Sequence, residues 1–521
     1  MHDLELFIAL LAGVVGLVWL AGPLRIPYPV LLVLGGLGAG LLPFVPKVEI
    51  EPGFVLLAFL PPILYRAAWT FAAEDVRMQW HAIALLAVGL VLVTIGAVAW
   101  VAHAVIGIPW APAFILGAVL GPTDPVAATS VIRRLGAPEQ MATILEGESL
   151  VNDGSGLTAF RIAVGVAGAE TFHPGAAVLQ FAGVALGGLA LGAVLGYAGT
   201  LIRRRLQAAE LEITTGLVTA YGAFALAERV GVSGILAVVA AGFVVGRAGA
   251  FTGPDTRIQA IGFWRTLSFV AESTLFLLVG LAFSSILGRG DIPLGKVAVE
   301  SLAIAATILA VRLVWMYTVP YAAARLDRRI AGARPLTDRR ERLLLGIAGM
   351  RGAVSVAAAL AIPAGTAARD EVVLLTCGAV LLTLVPIALA LPALMRALGL
   401  VREDEARRRY VDARVRVHEA AIDRAEEIGD EGEAPEELVA RAREAYDLRI
   451  SRLEASRPEG EQDGEDGEAG DRADRYKRVR KALLEAEREA LSELSDAGEV
   501  RGETLRAIEK ELDLEESRLD H

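Results

Sequence analysis

The chain has 521 residues, 54% of them hydrophobic but only 6% aromatic, with 54 glycines, one cysteine and a formal net charge of −11. An aliphatic, glycine-rich surplus of this size is a membrane composition, and the single Cys377 excludes an internal disulfide framework or a multi-thiolate metal site. The charge is uneven: residues 401–521 carry about 23 Lys and Arg against about 37 Asp and Glu, and the remainder is close to neutral, so nucleic acid and anionic lipid are poor partners for the tail.

The N-terminal MHDLELFIALLAG lacks a basic segment and a small-residue cleavage site, and reads as a retained first span. At about 20 residues per crossing, apolar stretches fall at roughly 4–21, 28–44, 53–69, 80–106, 110–134, 138–166, 175–202, 210–229, 232–248, 258–287, 293–323, 340–366 and 370–397. The expectation is an all-α integral membrane domain of about thirteen spans over residues 1–400, its third span short and carrying Pro61-Pro62. Lys and Arg then collect in alternate loops, including Arg203 to Arg205, Arg257 and the cluster from Arg325 to Arg342. That side is cytoplasmic, which puts the N-terminus outside and the tail inside.

The fifth span, FILGAVLGPTDPVAATSVIRR, holds Pro122 and Pro125, which each remove a backbone donor and restrict the residue before them. A helix break is expected around Thr123-Asp124. One proline would read as a simple kink, whereas two bracketing Thr-Asp favour a site, because a break at membrane depth survives where it lines a cavity. In the sixth span, LEGESLVNDGSGLTAFRIAV, Glu146, Ser149 and Asp153 share one stripe and Glu148 and Asn152 an adjacent one. Asn-Asp-Gly-Ser-Gly would be a turn signal in a soluble protein, but a loop there would upset the charge alternation of every later segment.

An ionised group at the bilayer centre costs about 2.5–3.5 kcal/mol on insertion scales, so each one calls for a partner or a role. Arg351, midway through the twelfth span, is expected to pair with Glu148, and Arg312, assigned near the cytoplasmic end of its span, to snorkel. Glu272 either lines an ion path or pairs with Arg161 or Arg265. Arg161, two turns beyond Asp153, either tunes that carboxylate or closes the outer side, and Glu146 is a further pathway candidate. No phosphate loop, HExxH, CxxC or GxSxG element occurs, and the glycines around Gly36 read as helix-packing residues.

In the tail, helices are expected at 436–455 and 474–517, separated by a disordered Gly/Glu/Asp segment over 459–474. Leu484, Leu491, Leu494, Leu505, Ile508 and Leu512 form an apolar stripe, either a docking or self-associating face or one weak face of a charged helix.

Four segments, GPTDPV at 121–126, LEGESLVNDG at 145–154, ESTLFLLVG at 272–280 and GMRGAVSVAAAL at 349–360, resemble the monovalent cation:proton antiporter superfamily, specifically its sodium/proton exchanger branch. The resemblance covers residues 1–400 and implies two inverted repeats with crossing broken helices, an elevator-type motion and a homodimer. Carried over by motif, Asp153 is the carboxylate shared by cation and proton, with Asn152, Asp124, Thr123 and Ser149 beside it, and Glu148 with Arg351 a structural ion pair. The resemblance implies exchange of Na⁺, or also Li⁺, for H⁺ and pH homeostasis at the cell membrane, and within it the Asn-Asp pair implies electroneutral one-for-one stoichiometry. No cofactor is implied. The alternatives are a K⁺/H⁺ exchanger of the same fold, or a cation channel or sensor.

Overall fold

The computed structural model describes residues 2–24, 26–42, 52–71, 83–167, 174–206, 208–248, 254–287, 293–326, 338–401, 403–432, 434–455 and 482–491, together with 508 and 512. Two compact units divide the chain, Met1–Val401 and Arg402–His521.

The first unit opens with helices α1 (His2–Leu24), α2 (Tyr28–Gly40) and α3 (Pro52–Thr70). Pro61 and Pro62 lie inside α3 without ending it. A helical rod follows in which α4 (Val91–Val101) is flanked by π-helical turns at Leu85–Leu90 and Ala102–Ile106. The proline-bracketed segment then separates α5 (Trp110–Leu120) from α6 (Val126–Arg134). After these come α7 (Glu139–Ala167), α8 (Pro174–Arg203), α9 (Ala209–Arg229), α10 (Gly234–Arg247), α11 (Pro254–Leu287) and α12 (Leu294–Leu326). A second interruption separates α13 (Arg339–Ile347) from α14 (Ala353–Leu360), and α15 (Arg369–Ala397) closes the unit.

Burial sorts these helices. The apolar stretch of α11 is 72% buried, against 11% for that of α8, so α11 runs through the interior and α8 along the surface. The exposed faces carry Trp19, Val178, Leu179 and Leu186, side chains whose favourable surroundings are hydrocarbon. Among the described residues five segments, Leu85–Ile106, Val178–Arg203, Thr256–Leu287, Leu294–Val319 and Arg369–Ala397, are long and apolar enough to cross a bilayer. With little hydrophobic drive between helices in lipid, close backbone approach holds the bundle. A Cβ on Gly36 would run into the backbone of Leu277, and one on Gly280 into that of Val33 and Leu37, so these glycines let α2 and α11 touch.

The second unit contains α16 (Glu403–Asp430) and α17 (Glu436–Ala455), which pack on one another. His418 meets Tyr446 at a centroid separation of 5.5 Å, and Arg443 pairs with Glu426 at 2.7 Å. Leu484 and Leu491 on the helical stretch 482–491 are buried together with Leu512, and the partly buried Ile508 packs against them. The expected disordered segment 459–474 and most of the expected helix 474–517, with Leu494 and Leu505, lie outside the described residues.

Candidate functional site: two interrupted helices beside Asp153

The two interruptions satisfy one another. Pro122 and Pro125 end α5 and delay α6, and the extended segment between them pairs with the one between α13 and α14: the Asp124 N–H donates to Met350 O at 2.8 Å. Backbone groups freed inside an apolar interior need partners, and here each break supplies them to the other. Arg351 Nη1 donates to Pro122 O at 3.0 Å.

Asp124 joins two helix ends. Its Oδ1 accepts from Val126 N–H, the first residue of α6, at 3.0 Å, and its Oδ2 from Ala353 N–H, the first of α14, at 3.3 Å. One carboxylate therefore caps two half-helices whose positive ends converge. The GMRG sequence accommodates this: a Cβ on Gly352 would collide with the Asp124 carboxyl, and one on Gly349 with the Arg312 guanidinium.

Helix α7 brings the remaining polar groups to the junction. Glu148, Ser149, Asn152 and Asp153 are all buried. Asn152 Nδ2 donates to Thr123 Oγ1 at 2.7 Å, and Thr123 Oγ1 donates to Glu148 Oε1 at 3.0 Å. Asp153 is 5% exposed, close enough to Asp124 to feel its charge, and among the described residues its carboxylate has no protein hydrogen bond. Ser149 lies one turn earlier on the same face of α7.

The structure corrects the partner expected for Glu148. Its carboxylate is held by Arg312, with both guanidinium Nη atoms engaged and Nη2 to Oε2 at 2.8 Å. Arg312 Nε also donates to Leu345 O at 3.1 Å near the end of α13. Arg312 does not snorkel: it is 1% exposed, and α12 continues about 14 residues, or roughly 21 Å, past it. The signal was present in the sequence as a second arginine deep in an apolar run. Which of the two arginines faces Glu148 depends on helix rotation, which spacing along one chain does not carry.

The outlying candidates sit elsewhere. Glu146 pairs with Arg133 at 2.9 Å, with both side chains partly exposed, and braces α7 against α6. Arg161 pairs with Glu228 and reaches Val232 O at 3.4 Å, tying the C-terminal part of α7 to the α9–α10 corner. Glu272 is buried on α11, where its carboxyl meets the Tyr28 hydroxyl with Arg66 the basic group in range. It does not pair with Arg161 or with the exposed Arg265.

Comparison with known proteins places this architecture. The family model described as the transmembrane sodium/hydrogen exchanger matches residues 6–397. An uncharacterised Na⁺/H⁺ exchanger of Mycobacterium tuberculosis is 33% identical over 99% of this chain and 96% of its own length. The low-affinity Na⁺/H⁺ antiporter NhaS1 of Synechocystis is 32% identical over 74% of this chain and 72% of its own. The solved structure of the sodium proton antiporter MjNhaP1 from Methanocaldococcus jannaschii superposes with a TM-score of 0.60 at 20% identity, over 77% of this chain and 99% of that one, and so shares its fold. With a family match across nearly all of its first compact unit, the chain is a multi-pass membrane protein and belongs to the transmembrane sodium/hydrogen exchanger family.

Proposed function

We propose that the chain is a secondary antiporter exchanging Na⁺, and also Li⁺, for H⁺, with Asp153 as the group both ions occupy in turn. The observation that carries this reading is the buried Asp153 carboxylate beside Asp124, at the place where two interrupted helices meet. A lone buried carboxylate is costly as a bare anion. A proton neutralises it directly; a dehydrated monovalent cation does so with further oxygens, supplied by Ser149, Asp124, Asn152 and the Thr123 backbone. Either occupant lets the loaded site cross a low-dielectric barrier that the bare anion crosses poorly, and this couples the two fluxes without ATP.

Sodium is favoured because relatives across the matched region are described as Na⁺/H⁺ antiporters. The rest of the proposal is one-for-one electroneutral exchange by an elevator-type motion, a homodimer, about thirteen spans in two inverted repeats, and a cell-membrane location serving pH homeostasis, with the N-terminus outside. In it, residues 1–400 are the exchange domain, residues 401–521 an acidic cytoplasmic tail, and Glu272 a side chain lining the ion path.

Asp153→Asn is expected to abolish cation-driven proton movement in proteoliposomes while the protein still folds, because the amide neither carries a proton nor neutralises a cation. Full exchange by this variant would overturn the assignment. Wild-type protein assayed against Na⁺, Li⁺ and K⁺ reads the preferred ion from the same preparation.

A further inference from the structure

We infer that Arg312, Glu148 and Thr123 are positioning residues that fix the polarity of the Asn152 amide, leaving its carbonyl oxygen rather than its NH₂ free at the junction for a dehydrated monovalent cation. The inference rests on the cation/proton reading above and assigns a shared task to groups that reading leaves as a structural pair and a ligand list.

The polarity follows from donor and acceptor capacity. Glu148, engaged by both Nη atoms of Arg312, is a carboxylate and can only accept. The Thr123 hydroxyl, 3.0 Å from Glu148 Oε1, spends its single hydrogen there. Toward Asn152 it can then only accept, so the amide group 2.7 Å away must be the NH₂. Asn152 Oδ1 is thereby turned the other way, and it is fully buried with no hydrogen-bond partner among the described residues. A buried acceptor without a partner costs about 1–3 kcal/mol.

Position explains why such a cost would be tolerated. Asn152 precedes Asp153 on α7, and the Thr123 that holds it precedes Asp124 in the α5–α6 break, so the amide lies between the two carboxylate-bearing segments. An outward carbonyl offers a cation one more negative dipole, and an outward NH₂ would repel it. The chain of three bonds makes the first arrangement the only one that satisfies Thr123 and Glu148 together.

The test separates cation KM from maximal rate. Thr123→Val keeps the side-chain shape but frees the amide to turn; the Na⁺ KM in proteoliposomes is expected to rise about tenfold or more, with the rate at saturating Na⁺ largely kept. Thr123→Ser should recover most of the wild-type KM. Glu148→Gln combined with Arg312→Leu lets residue 148 donate to Thr123 and reverses the chain; it should raise KM similarly, and adding Thr123→Val should raise it no further. Sodium-dependent thermal stabilisation in detergent, weakened in Thr123→Val, reads the same effect without transport. A wild-type KM in Thr123→Val, or equal losses in Thr123→Ser and Thr123→Val, overturns the inference while leaving the exchange assignment intact. Wild-type protein with neither exchange nor sodium-dependent stabilisation removes both.

Discussion

Asp124, half-buried, and Glu148, fully buried, are two acids with different partners. Asp124 spends one lone pair of each oxygen on a helix N-terminus. Glu148 is consumed by protein partners: two bonds from Arg312 and one from Thr123. A buried pair survives its desolvation only with such full satisfaction, and losing one partner strands the other charge. Arg312→Leu should therefore cost about 3–5 kcal/mol of stability, and Arg351→Leu, which removes the donor to Pro122 O, about 1–3 kcal/mol. Thermal melting of the detergent-solubilised variants checks this, and a drop for Arg351→Leu equal to or larger than that for Arg312→Leu would contradict the pairing. At this scale the chemistry was legible in the sequence, since every buried charge announces itself in an apolar run. The partner was not: Arg312 and Arg351 both sit deep, and only the rotation of α12 decides between them. The unpartnered Asn152 oxygen was equally invisible, because it follows from the direction of two hydrogen bonds across three elements.

Among the elements, the break between α5 and α6 could be read directly, because two prolines at fixed spacing act locally whatever surrounds them. The break between α13 and α14 contains no proline; its Gly349 and Gly352 make sense only once Arg312 and Asp124 press against them. Helix α7 is tied at both ends, to α6 by Glu146 and Arg133 and to the α9–α10 corner by Arg161 and Glu228. At that corner the Thr158 hydroxyl, which donates to Gly154 O at 2.6 Å, can also accept from the Ser233 hydroxyl 3.2 Å away. If the helix bearing Asp153 shifts against α9 and α10 during exchange, the Arg161–Glu228 pair must open. Both side chains are about a third exposed, at 31% and 35%, so water screens the pair and its contribution stays below about 1 kcal/mol. Glu228→Gln should accordingly raise the maximal exchange rate about two- to fivefold with the Na⁺ KM unchanged. An unaltered rate would count against movement at this corner.

For the whole molecule, composition divides the chain before any fold is known: an apolar, nearly neutral stretch followed by an acidic, polar one, with the family match ending at residue 397. The tail unit holds a weak core, and His418 is one of its few buried polar groups. Its ring packs on Tyr446, while burial, then Arg414 and Arg449, hold its pKa below the ordinary 6.5. Arg449 also lies over the Tyr446 ring, 4.9 Å from its centroid, so a charged imidazole would enter a place already occupied by cations. The folded helix pair therefore binds this proton less readily than the unfolded chain does. Above about pH 6.5 neither state carries it and stability is unaffected; as pH falls through that value the unfolded chain gains the proton first, and the α16–α17 pair loses stability down to the lower, folded pKa. Amide hydrogen exchange of residues 403–430 and 436–455 in the full chain, compared at about pH 7.5 and about pH 5.5 after correction for intrinsic rates, should reveal reduced protection at the lower pH. In His418→Gln that difference should shrink. Equal pH dependence in both proteins would place the sensitivity in the carboxylates of the tail, such as Glu426 beside Arg443, rather than in His418.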